Sequence, residues 1–118
     1  MTITQAIAGV DALRPANPYT AAQKTAWLNS LDGRLYLGVV CGAEEGTPVY
    51  TEAEGNVELL VPPPFDGLYP VYLAAQIDFA DTEWDAYAAS SRMFNELCGE
   101  YARYYLRKNR PASSRVIL

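Results

Sequence analysis

Apolar residues recur along this chain at steps of three and four, the period of an amphipathic helix, and breaker residues interrupt them at only a few places. The first stripe is Ile3, Ile7, Val10 and Leu13. Thr2 or Thr4 is placed to cap it, and Arg14-Pro15 ends it because the residue before a proline avoids the α region. Pro15-Ala16-Asn17-Pro18 then reads as a stiff linker. Thr20 and Gln23 match a capping box, the hydroxyl accepting from a first-turn amide and the glutamine reaching back. A second stripe in Trp27, Leu28, Leu31, Leu35 and Val39 predicts a helix to about residue 40. Gly33 costs that helix about 1 kcal/mol relative to Ala, and Asp32-Gly33 is also a turn signal at which it can break.

From residue 42 to 64 the pattern changes to Gly, Glu, Pro and Thr. Two β-prone runs, Val49-Tyr50-Thr51 and residues 57–61, can pair as a small hairpin across Glu54-Gly55-Asn56. Pro62, Pro63 and Pro64 exclude both helix and ladder, so the stretch is expected to be a projecting loop or arm rather than core. Asp66 is placed to cap a third helix, whose first turn tolerates Pro70. Leu68, Tyr72, Ala75 and Phe79 cover one face of it and Tyr69, Leu73 and Ile77 another. Such a helix needs cover on both sides, one of which a second subunit can supply. Asp81-Thr82 breaks the chain, and a final helix is expected over residues 83–108, about 40 Å long at 1.5 Å per residue. Its stripe is Tyr87, Ser91, Phe94, Cys98, Tyr101 and Tyr105, and its length should make it the spine of the body.

These elements predict an all-α fold: a small bundle of about four helices with a long C-terminal helix, one domain over residues 1–110 and a tail over 111–118. A chain of 118 residues suits a single core, because at this size folding buries only about two-thirds of the unfolded surface. The absence of His removes the commonest general base, the usual metal ligand and every Ser-His or Cys-His nucleophile pair. The formal net charge of −5 argues against a nucleic-acid reader, but its distribution is more informative. Residues 1–91 carry twelve acids against Arg14, Lys24 and Arg34, a net of −9, whereas residues 92–118 carry Glu96 and Glu100 against six bases, a net of +4. Such polarity suits head-to-tail or ring association. Cys41 and Cys98 form no CxxC pattern and read as buried reduced thiols, with neither zinc nor redox chemistry. No basic start followed by an apolar run is seen, and no stretch approaches about 20 apolar residues, so a soluble, reducing compartment is expected.

Candidate chemistry is sparse. Gly33 to Gly38 has P-loop glycine spacing, but Val39 and Val40 stand where Lys and Ser/Thr are needed to hold phosphate. Asp78, Asp81, Glu83 and Asp85 form the best cluster for a hard cation, yet carboxylates also favour a helix N-terminus, and the last helix starts here. Nine tyrosines is a high count for so short a chain, and tyrosine favours interfaces because its two ends suit apolar and wet surroundings. Tyr36, Tyr69 and Tyr104 fall off the main stripes and are assigned to a subunit interface, together with Arg103 and Arg107. The bases Arg103, Arg107, Lys108 and Arg110 also complement a helix C-terminus. Beyond them, Arg110, Arg115, Val116, Ile117 and Leu118 make a tail whose apolar end is the expected docking element for a partner.

The opening TITQAIAGVDALRPANPYTAAQKTAWLNSLDGRLY, the phrase LLVPPPFDGLYPVYLAAQIDFADTEWDAYAASSRMFNE and the ending YARYYLRKNRP resemble the head-tail connector, or adaptor, proteins of tailed phages and prophages in Gram-positive bacteria. The likeness covers roughly residues 2–111 and rests on phrases along the helices rather than on a catalytic motif. It implies a helical structural protein of the virion neck, without cofactor, metal or catalytic residues. Such a protein forms a ring under the portal protein, extends the DNA channel and offers a platform to the next neck or tail component. The tail over 111–118 would then engage the portal. Glu44, Glu45, Glu52, Glu54 and Glu58 would give an acidic loop facing either the channel, where it would keep passing DNA from sticking, or the outer rim. A different class, a small cytoplasmic helical regulatory module acting as a dimer through its tyrosine-rich helices, is the alternative, and a divalent-ion enzyme built on the acidic cluster comes third.

Overall fold

The structure, a computed structural model, describes residues 1–109. It is all-α: α1 (Ile3–Leu13), α2 (Ala21–Leu35), α3 (Leu68–Ala80) and α4 (Trp84–Asn109). The expected Thr20 capping box closes, and Thr2 rather than Thr4 caps α1, through a capping box of its own. Thr2 accepts from the Gln5 amide while Gln5 accepts from that of Thr2, and Thr20 and Gln23 repeat the exchange. α2 passes through Asp32-Gly33 unbroken and runs on as a π-helical turn, Tyr36–Val40, that ends at Cys41 in the left-handed region. Asp66 does not cap α3. Gly67 holds that position without a side-chain bond, and the Asp66 carboxylate turns instead to the Met1 ammonium at 3.2 Å, which Glu58 also accepts from at 2.9 Å.

α3 is the centre of the molecule. Leu68, Tyr69, Tyr72, Leu73, Ala74, Ala75, Ile77 and Asp78 are all buried, covered by α1, α2 and α4 of the same chain. The cover that its all-round apolar surface demanded is therefore intramolecular, and no second subunit is needed to supply it. α4 is the long helix expected as the spine, and it is a lightly covered one, since only Ser90 and Tyr101 of its 26 residues are buried. It lies along the core as a rod of about 39 Å, against a longest molecular extent of 53 Å. Close approach of α1 to α3 depends on Gly9, where a Cβ would come within 2.9 Å of the Pro70 ring.

The segment between α2 and α3 departs most from expectation. Among the described residues no strand forms, and the hairpin across Glu54-Gly55-Asn56 is absent. Two 3-10 turns, Glu44–Gly46 and Glu52–Glu54, fold the segment up. Its second half then laces to the chain start, with Ile3 donating to the Val57 carbonyl, Thr4 to that of Gly55 and Leu59 to that of Met1. Tyr50, Leu59 and Val61 enter the core, so this is a strap over the bundle rather than a projecting arm. β propensity in Val57 to Val61 is satisfied by burial and by the start of α1, not by a paired strand.

Candidate interaction surfaces

Asp32, wholly buried in the last turn of α2, fastens the strap. Its carboxylate accepts from the Tyr50 hydroxyl at 2.6 Å, the Tyr69 hydroxyl at 2.6 Å and the Leu60 amide at 2.9 Å. The Tyr69 oxygen accepts in turn from the Val61 amide at 2.8 Å. Asn29, one helical turn earlier, grips the Tyr50 backbone from both sides, donating to its carbonyl at 2.7 Å and accepting from its amide. No cation completes the cluster among the described residues. Burial consequently pushes the Asp32 carboxyl above its usual range, although its three donors pull the other way, and the same burial raises both tyrosines.

Tyr69 is accordingly not an interface residue. It is a core tyrosine whose polar end is satisfied by an aspartate the sequence placed on a possible break point. Tyr36 is half-buried beneath the 42–46 turn, where a Cβ at Gly42 would run into its ring and one at Gly46 would lie 2.5 Å from its hydroxyl. Tyr104 is half-buried against Phe65, with ring centroids 4.8 Å apart. Arg103 and Arg107 are exposed. Glu44, Glu45, Glu52, Glu54 and Glu58 are exposed as well, though Glu54 caps the second 3-10 turn through the Thr51 amide at 2.9 Å. Arg110, Arg115, Val116, Ile117 and Leu118 lie outside the described residues.

The acidic cluster is divided by the fold. Asp78 points inward and takes a two-pronged ion pair from Arg14, both N–H···O distances being 2.8 Å, plus the Ser90 hydroxyl at 2.8 Å. Arg14 therefore holds the Asp78 carboxyl below the usual carboxylate range. Asp81 accepts from the Tyr19 hydroxyl at 2.6 Å, which pushes that phenol up. Glu83 and Asp85 remain exposed at the start of α4. No group of three or more metal-ligating side chains comes together among the described residues. The cysteines differ from expectation: Cys41 is exposed, because its left-handed backbone ends the π turn at the surface, and Cys98 is half-buried against the core with its thiol pushed up by burial.

Two features went unread in the sequence. At the α3–α4 turn, Phe79, Trp84 and Tyr87 stack edge to face with centroids 5.4 to 6.4 Å apart, and Phe79 and Trp84 are more than half exposed. At the far end of α4, a groove of about 330 Å³ opens between Val40, Leu60 and Pro62 on one side and Tyr101, Tyr104 and Tyr105 on the other. Lys108 stands at this groove with its ammonium 5.8 Å from the Tyr104 ring centroid. The signal for the first was Trp84, which fits no stripe beside the Asp81-Thr82 break, whereas Phe79 and Tyr87 both lie on helix stripes. The groove had no local signal, since its walls lie 39 or more residues apart in the chain. No described helix is long and apolar enough to cross a membrane. Compared with protein-family models, curated proteins and solved structures, the chain has no significant match.

Proposed function

We propose that this protein is a non-enzymatic assembly subunit, copies of which join head to tail into a ring that serves as a head-tail connector of a tailed phage or prophage. In that role it would sit in the virion neck beneath the portal protein, extend the DNA channel and carry the next neck or tail component, after assembly in the host cytoplasm. The observation that carries the reading is α4: a 26-residue rod with two fully buried residues, acids at its start and bases at its end. One face of this rod packs on α3, and the remainder, with both ends, is left uncovered by the described residues. Opposite charge at its two ends favours a heterologous contact, and heterologous contacts close into rings where the rotation between copies returns on itself. The resemblance in the sequence supplies the virion setting.

Electron microscopy and native mass spectrometry of the purified protein test this, alone and with a candidate portal protein from the same genome. Rings with a central channel, free or seated on the portal, are expected. A species that stops at a dimer in both conditions overturns the reading and favours the regulatory module, and a monomer that ignores the portal overturns it too. If the acidic strap lines the channel, exchanging Glu44, Glu45, Glu52, Glu54 and Glu58 for Gln raises the affinity of assembled rings for DNA at low salt. Unchanged DNA retention would place those residues on the outer rim.

A further inference from the structure

We infer that the aromatic tip at the start of α4, formed by Phe79, Trp84 and Tyr87, seats in the groove at the end of α4 on a second copy of this chain. This deepens the head-to-tail reading and rests on it. The tip has the chemistry of an anchoring residue cluster. Three rings hold one another edge to face, so little side-chain freedom remains to be lost on binding, and tryptophan and tyrosine dominate the energetics of protein contacts. Trp84 is 56% and Phe79 55% exposed, a large apolar area to leave in water.

The groove offers the counterpart. Its walls are aliphatic and tyrosyl, and Lys108 at its edge, with exposed Arg107 and Leu106 beside it, faces water. Glu83 and Asp85 flank the tip, and neither makes an ion pair among the described residues. Acids at the start of a helix and bases at its end are also what the helix dipole favours. The dipole accounts for the charges, but it gives no reason for two large rings to stand in solvent at one end while an apolar groove opens at the other. Tip and groove are held apart by most of a helix of about 39 Å and cannot meet within one molecule. A second copy presents each with its complement in both charge and polarity.

The test combines mapping with charge reversal in the full chain. A photo-reactive p-benzoylphenylalanine in place of Trp84 is expected to give cross-linked pairs whose joined peptides pair residue 84 with the groove tyrosines of the other copy. Glu83→Lys with Asp85→Lys, and separately Arg107→Glu with Lys108→Glu, should each weaken association by about tenfold or more, and mixing the two variants should restore it. All four positions are exposed, and circular dichroism checks that each variant remains helical. Association that is indifferent to both reversals, as expected if the chain's own residues 110–118 fill the groove, overturns the contact. So do cross-links that map elsewhere, or a chain that stays monomeric at about 1 mM in low salt, where charge attraction is strongest. A closed dimer broken by the reversals keeps this contact and overturns the ring, whereas a ring insensitive to them does the reverse.

Discussion

Replacing Asp32 with Ala should release the strap from the bundle. The change leaves the Tyr50 hydroxyl, the Tyr69 hydroxyl and the Leu60 amide without their acceptor, and each orphaned buried donor costs about 1–3 kcal/mol. Against that loss stands the recovered cost of burying a carboxylate without a cation, which is why its carboxyl lies above the usual range. Three donors outweigh one partly compensated charge, so a net loss of about 3 kcal/mol is expected, a large share of a stability of about 5–15 kcal/mol. Because the folded value is raised, Asp32 stabilises the fold fully below its unfolded value of 3.8, and that contribution is lost as pH rises through the folded value. The gap between wild type and Asp32→Ala should therefore narrow from acid to neutral pH. Urea unfolding followed by circular dichroism measures it, with Tyr69→Phe in each background as a double-mutant cycle. A loss under about 1 kcal/mol, or costs for Tyr69 and Asp32 that simply add, would refute the argument.

Arg14→Ala strands the Asp78 carboxylate beside Ser90 alone and should cost about 3–5 kcal/mol in thermal or urea unfolding at neutral pH. Asp78 has a lowered folded value, so its contribution is present above 3.8 and is lost as pH falls through the folded value; the Arg14→Ala penalty should shrink accordingly in acid. Thr25 is buried with a hydroxyl that finds no partner among the described residues, and Thr25→Val, of the same shape, should raise stability by about 1 kcal/mol in the same assay. Thr82 holds φ of 55° in the turn before α4, an outlier for a β-branched side chain, so Thr82→Gly should raise the melting temperature, by about 1 kcal/mol in free energy.

How much of this was legible depended on where each residue's partners lie. The Thr20–Gln23 capping box, a threonine cap on α1, the run of helix to residue 40 and the start of α4 are set within four residues, and the sequence displays them. The strap's fate was not local. Val57 to Val61 has the look of a strand, and its partners proved to be Met1 to Thr4 and the Asp32 carboxylate, which no periodicity brings near. Asp32 and Gly33 looked like a turn because the pair is read without its surroundings, whereas in the fold the aspartate is the acceptor that two tyrosines require. Tyr69 lay off the stripe for the same reason: a helix covered on all sides has no outward face, so departure from the stripe does not signal exposure. Exposed Cys41 followed from a π turn that sequence rules do not anticipate.

The stitching of the strap onto the first helix bears on how the protein is made. Met1, Ile3, Thr4 and Arg14 take their partners from residues 55–78, so α1 cannot complete its docking until residues 55–78 have followed it from the ribosome. Local helical contacts form quickly, but these long closures set the pace. In synthesis α1 thus waits on residue 78, and α4, which follows it in the chain, is the last of the four helices to emerge. The surfaces we assign to contact between copies lie largely on that last helix, so they emerge only once the core they stand on is ready to fold.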